Sequence, residues 1–204
     1  MIKIAITGPS GSGKSTLLGI LASQGYPVID CDKVAHQLQN PGEKCYFDII
    51  EAFGKDILYD DETINRKMLA KKAFADKEST VKLNNITHHH IIERVNQLCD
   101  EYGNKGNECV FIEAGALFES GLDQQCKRII LITASVDKLI QRICDRDGIE
   151  EAAAQIRLHA QKDISFLINN SHLVLYNNYE ESLLSMFTNL VISKIKEWSN
   201  GNEY

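Results

Sequence analysis

Ile2 to Thr7 is a short, mostly apolar run that ends at Gly8-Pro9 and reads as a buried strand. Leu17, Leu18, Leu21 and Ala22 follow at helical spacing, and Gly25 falls where a helix C-cap belongs. Tyr26-Pro27-Val28-Ile29 is a second short strand, running into Asp30-Cys31-Asp32. Val34, Ala35 and Leu38 share one face of a helix from Lys33 to Leu38, stopped by Asn40-Pro41-Gly42. Tyr46, Ile49, Ile50 and Phe53 repeat at i, i+3, i+4, i+7, an amphipathic helix closed by Gly54. A further helix is expected from Asn65 to Phe74. A long one follows from Ser79 to Tyr102, with Ile91, Val95, Leu98, Cys99 and Tyr102 as its stripe. Residues 43–103 therefore carry helices and no convincing strand. That is more than one crossover connection needs, and it reads as a helical insert beside a sheet.

The strand pattern resumes at Cys109-Val110-Phe111-Ile112-Glu113, again at Arg128 to Thr133, and last at Leu173 to Tyr176. Between them, Val136, Leu139, Ile140 and Ile143 define a helix that ends before Gly148. The alanine-rich stretch from Glu150 to Ile164 predicts a single helix with Arg157 and Gln161 one turn apart. Leu183, Phe187, Leu190, Val191, Ile195 and Trp198 predict a final amphipathic helix. Strands alternating with helices predict an α/β fold, a doubly wound parallel five-stranded sheet in a single domain over 1–204. The core would take about 1–42, 104–140 and 165–204, the insert 43–103, and a helical lid 141–164. Ligands in such sheets bind beyond the carboxyl ends of the strands, which would gather the loop 8–15, Asp30, Asp32 and Glu113.

Composition narrows the partners. A chain of 204 residues suffices for one α/β domain with a real core. The net charge of −6 gives no basic surface for nucleic acid or anionic membrane, so anionic substrates must be met by local cations. The six cysteines include no C-x-x-C pair and no zinc spacing. The N-terminus leads straight into the first strand without a secretory pattern, and no apolar run approaches the roughly 18 residues of a membrane span. The expectation is a cytoplasmic protein with reduced thiols that acts on small molecules, as a monomer or weak homo-oligomer.

The chemistry starts at Gly8-Pro9-Ser10-Gly11-Ser12-Gly13-Lys14-Ser15, which fills every fixed position of G-x-x-x-x-G-K-[ST] between a strand and a helix. The glycines let successive backbone N–H groups converge on phosphate oxygens, and the following helix, through Ser15 and Thr16, adds its positive end. Lys14 supplies charge to the β- and γ-phosphates, and the Ser15 hydroxyl is a ligand for Mg²⁺. No N-K-x-D element accompanies the loop, which favours ATP over GTP. Asp32, just beyond the second strand, is placed to accept the proton of an acceptor hydroxyl; Asp30 or Asp32 is equally suited to N-cap the helix that follows. Arg142, Arg146 and Arg157 surround the loop at Gly148, where a lid would aim guanidinium forks at the transferring phosphate; the alternative is a solvated helix face with pairs such as Arg146-Asp147. His88-His89-His90 cannot chelate one ion from one helix face, since neighbours point about 100° apart; one of them as a phosphate or substrate contact is the better reading. Asn177 and Asn178, after the last strand, are the candidates for the polar edge of adenine. These residues leave a small-molecule kinase and a nucleotide-dependent regulator or ATPase both open.

The segments ITGPSGSGKST (6–16), VIDCDKVAHQL (28–38), FG (53–54), NR (65–66) followed by Leu69 and Phe74, LFESGL (117–122), QRICDRD (141–147) and RLHAQ (157–161) together resemble the dephospho-coenzyme A kinase family over nearly the whole chain. The resemblance implies a P-loop kinase fold and ATP-dependent phosphorylation of the ribose 3′-hydroxyl of dephospho-CoA. It implies Asp32 as catalytic aspartate, Gly11 to Thr16 at the ATP phosphates, Arg142 and Arg146 as lid arginines, and the helical insert as acceptor subdomain. Asp30, Arg66, His88, Glu113 and Arg157 are then expected on the acceptor side. Two departures touch that side: His88-His89 stands for the family's His-Pro, and Glu113-Ala114-Gly115-Ala116 for its D-x-P-L. Another small alcohol or nucleotide as acceptor is the alternative they leave.

Overall fold

A computed structural model describes residues 1–178 and 182–199 of the chain; the side chain of Leu183 lies outside the described residues. Five strands, β1 (Ile2–Thr7), β2 (Val28–Asp30), β3 (Cys109–Glu113), β4 (Arg128–Thr133) and β5 (Leu173–Tyr176), form a parallel sheet in the order β2-β3-β1-β4-β5, flanked by helices. The fold class is the expected one. β1 is central, with Ile2 opposite Cys109 and Ile6 opposite Glu113 on one side, and Ile4 opposite Arg128 and Thr7 opposite Leu131 on the other. Ile4, Ala5 and Ile6 are fully buried, as a strand covered on both faces requires.

Residue contacts divide the chain into two units, Met1–Ile29 with Glu101–Tyr204, and Asp30–Asp100. In the first, α1 (Lys14–Ser23) and α10 (Ser182–Ser199) cover the sheet. Leu17, Leu18 and Leu21 of α1 and Val191 and Ile195 of α10 join Ile4, Ile6, Phe111, Ile130, Ile132 and Leu175 in one core. The second unit holds α2 (Cys31–Leu38), α3 (Lys44–Phe53), α4 (Arg66–Ala73) and most of α5 (Lys77–Asn104). Its own core is Cys45, Tyr46, Ile49, Ile57, Ile64 and Leu69, the stripe read from the sequence extended by the loop before α4. One isolated antiparallel bridge, Leu58 with Ile64, closes that loop.

Element boundaries depart from expectation where side chains cap helices. β2 starts at Val28 rather than Tyr26, and α2 starts at Cys31 rather than Lys33, because Asp30 Oδ1 accepts the Lys33 N–H at 3.0 Å and opens the helix early. The helix expected over 150–164 is shorter, α8 (Glu151–His159), and a separate helix, α9 (Ile164–Asn169), starts where it was to end. Asp163 caps the new helix by accepting the N–H groups of Ser165 (2.8 Å) and Phe166 (3.3 Å). Two short elements, α6 (Leu117–Ser120) and a 3-10 turn at Leu122–Gln125, follow β3; α7 (Val136–Asp147) packs Ile140 and Ile143 against Ala154 of α8.

Candidate active site

The turn from β1 into α1 is built around close backbone contacts. A Cβ on Gly8 would strike the Ile132 carbonyl oxygen of β4, and one on Gly13 (φ +98°) would lie 2.6 Å from Asn177 Nδ2. Only glycine fits either position. Gly13 caps α1, whose first turn carries no acidic residue of its own, so the positive end of the helix dipole points at the loop. Ser12 is fully buried, and its carbonyl accepts from Asn177 Nδ2 at 2.8 Å. Asn177 is itself 3% exposed and is held by its N–H to the Thr133 carbonyl at 2.7 Å. The Nδ2 group of the residue expected at the adenine edge thus braces the phosphate loop from the end of β5. Asn178 Oδ1 accepts the Ser135 N–H at 2.7 Å and ties the segment after β5 to the start of α7.

Lys14 Nζ bends back over the loop and donates to the carbonyls of Gly8 (2.8 Å) and Pro9 (3.1 Å). Ser15 Oγ donates to Glu113 Oε1 at 3.1 Å, across 98 residues of sequence. Glu113, 7% exposed at the end of β3, therefore stands beside the Ser15 hydroxyl, and the two hard oxygens are of the kind that would suit a divalent cation such as Mg²⁺. No group of three His, Cys, Asp or Glu capable of holding a metal occurs among the described residues.

Three side chains reach the outer limb of the loop from the α7–α8 region. Arg142 Nη1 donates to the Gly11 carbonyl at 3.4 Å, Arg146 Nη2 to Ser10 Oγ at 3.2 Å, and Gln161 Oε1 accepts the Ser10 N–H at 3.1 Å. Arg146 also grips Asp147 in a fork, Nε to Oδ1 at 2.7 Å and Nη2 to Oδ2 at 2.9 Å, and Arg157 Nη1 closes on the same Oδ2. Hydrogen bonds from Arg146, aided by Arg157, lower the Asp147 carboxyl to about 2, and the same pairing raises the Arg146 guanidinium. The R-x-x-x-Q spacing had put Gln161 in line with Arg157, but its grip on Ser10 depends on the break at 160–163. Asp147 read only as a surface partner, because its second arginine comes from the next helix.

Beside Gly8 and Pro9 lies a cavity of about 260 Å³, lined also by Gly115, Ala116, Glu119 and Lys162. Gly115 and Ala116, two of the residues that depart from the family pattern, thus form part of its wall. Lys162 Nζ sits 5.0 Å from the Phe166 ring centre and 3.9 Å from Glu119 Oε1.

In the second unit, Asp30 is the N-cap of α2 and also pairs with Lys33 at 3.2 Å. Asp32 occupies the first turn of α2 with its carboxylate exposed. The choice between the two aspartates for capping falls to Asp30. Arg66 opens α4 and is exposed; His88 is half-buried on α5. His90, not His88, is the buried member of the histidine run, and its Nε2 lies 2.6 Å from Asp48 Oδ2. A cavity of about 580 Å³ in this unit is lined by Asn40, Lys44, His90 and Arg94 among others, and neither Arg66 nor His88 borders it.

Similarity to known proteins agrees with these features. The dephospho-CoA kinase family model matches residues 2–182. A dephospho-CoA kinase of Oceanobacillus iheyensis is 34% identical over 185 residues, 90% of this chain and 93% of that protein. One from Corynebacterium glutamicum is 33% identical over 178 residues, 87% and 89% of the two chains. The solved structure of a dephospho-CoA kinase from Campylobacter jejuni superposes with a TM-score of 0.71 at 27% identity, covering 98% of each chain.

Proposed function

The chain belongs to the dephospho-CoA kinase family, and we propose which of its residues carry that family's reaction. Its activity is ATP-dependent phosphorylation of dephospho-CoA, the final step of coenzyme A biosynthesis. The observation that carries the reading is the family match over residues 2–182, joined to a phosphate loop with every required position filled.

The N–H groups of Gly11, Gly13, Lys14, Ser15 and Thr16 cradle the ATP phosphates at the start of α1. Lys14 exchanges its bonds to the Gly8 and Pro9 carbonyls for the β- and γ-phosphates. Ser15, with Glu113 beside it, would hold Mg²⁺, which would supply positive charge to offset that of the phosphates. Arg142 and Arg146, already within reach of Gly11 and Ser10, supply forked donors to the charge that develops on the transferring group. Asp32 accepts the proton of the ribose 3′-hydroxyl and aligns it for in-line attack; the support is its release from capping by Asp30 and its place in the V-I-D-x-D segment. Arg66 and His88 contact the acceptor, and Asp30 acts there only through α2, as its cap. We further read the protein as cytoplasmic and as a monomer or weak homo-oligomer; among the described residues no helix is long and apolar enough to cross a membrane.

A coupled assay of ADP release, with and without dephospho-CoA, tests the activity. Release should require dephospho-CoA and be matched by CoA formed. Turnover independent of the acceptor would instead favour an ATPase, and turnover with other nucleosides but not dephospho-CoA would assign a different acceptor.

A further inference from the structure

We infer that Asp147 is a positioning residue for phosphoryl transfer, gathering Arg146 and Arg157 from two helices into one unit that presents Arg146 at Ser10 of the phosphate loop. The inference rests on the reading of Arg146 as a phosphate contact.

Asp147 is the last residue of α7 and Gly148 is its left-handed cap (φ +64°), after which the chain turns into α8. A carboxylate in the last turn of a helix opposes the helix dipole, so this place is unfavourable unless cations offset it. Here two do, one from each helix. Both oxygens are used: Oδ1 by Arg146 Nε, and Oδ2 by both Arg146 Nη2 and Arg157 Nη1. The fork fixes the plane of the Arg146 guanidinium, and the same Nη2 that touches Oδ2 touches Ser10 Oγ. The side chain of Asp147 is only 25% exposed, less than either arginine at 56% and 49%. An isolated surface ion pair of this kind contributes little to stability. What the cluster contributes is geometry: without the carboxylate, two guanidiniums repel and recover their rotamer freedom, and Arg146 no longer stays aimed at the loop.

Electrostatics alone and positioning make opposite predictions. Asp147 is an anion near the expected site of ATP phosphates, so deleting it would strengthen ATP binding if its charge were its main effect. Positioning requires the reverse.

The test is a kinetic cycle on the full chain with Arg146→Ala, Asp147→Ala and the double variant, plus Asp147→Asn and Asp147→Glu, measured with ATP and dephospho-CoA. Asp147→Ala is expected to lower kcat/KM for ATP by about tenfold or more, leaving KM for dephospho-CoA unchanged. In the Arg146→Ala background the same change should have almost no further effect, because coupled residues do not add. Asp147→Glu should recover part of the loss and the isosteric Asp147→Asn little of it. If Asp147→Ala does not fold, Asp147→Asn replaces it throughout the cycle. Additive losses, an unchanged kcat/KM, or tighter ATP binding at full turnover would overturn the inference while leaving Arg146 in its role. Full activity of Arg146→Ala itself would remove that role, and the inference with it.

Discussion

At the scale of single residues, the site separates groups that share a composition but not a task. Asp30 and Asp32 are alike in sequence, and the hydrogen bond from Lys33 N–H commits Asp30 to capping. Asp32→Asn should therefore lower kcat by about 10²- to 10⁴-fold with ATP affinity kept, because only the proton acceptor is lost. ATP titration beside steady-state rates checks this, and undiminished turnover would reduce Asp32 to a member of the first turn of α2. Gly13 makes a different demand. Its φ of +98° and the 2.6 Å approach of Asn177 Nδ2 to a would-be Cβ mean that Gly13→Ala must displace the amide that holds the Ser12 carbonyl. ATP affinity should fall by about tenfold or more, since a strained backbone of about 1–3 kcal/mol is added to a misplaced loop; calorimetric titration with a non-hydrolysable ATP analogue measures it, and wild-type affinity would show that the loop tolerates the shift.

At the scale of elements, caps decide where helices start and so which side chains reach the loop. Asp163 starts α9 while α8 ends at His159, and Gln161, in the gap between them, meets the Ser10 N–H. Asp163→Ala should destabilise the protein by about 1 kcal/mol through the lost cap. A drop of about 2–4 °C in Tm by calorimetry is the expected size for a chain of this length. At the α7–α8 junction the expected pH effect has a definite sign. The Asp147 carboxyl is held at about 2, below its ordinary 3.8, so its contribution to folding is fully present above about pH 4 and is lost as pH falls towards 2. Carboxyl chemical shifts across that range should give a midpoint near 2 in the wild type and one moved up towards 3.8 in Arg146→Ala, where the forked hydrogen bonds from Arg146 are gone. An unmoved midpoint would deny the pairing.

At the scale of the whole molecule, two units each carry their own core, one built on the sheet and one on α3 and its neighbours. Ile49 is fully buried in the second, and Ile49→Ala should cost about 2–5 kcal/mol, read as a lower urea midpoint in far-UV circular dichroism. An unshifted midpoint would mean that this cluster closes up around the missing methyls without loss. Much of this organisation was legible along the chain. β1, β3, β4, β5, the phosphate loop and α7 lie where apolar periodicity and glycine spacing put them, because burial on a sheet or helix face is a local, repeating requirement. The strand order could not be read that way, and several site contacts follow from it. Glu113 meets Ser15 across 98 residues, and Asn177 meets Ser12 across 165, because β3 and β4 flank β1 and β5 lies next to β4. A polar side chain at the end of a strand carries no mark of its partner in its own neighbourhood. The sequence by itself therefore determined where the loop lies and which strand and helix flank it. Only the tertiary structure decided which side chains hold that loop in shape, because their partners are set by the order of strands in the sheet rather than by neighbours in the chain.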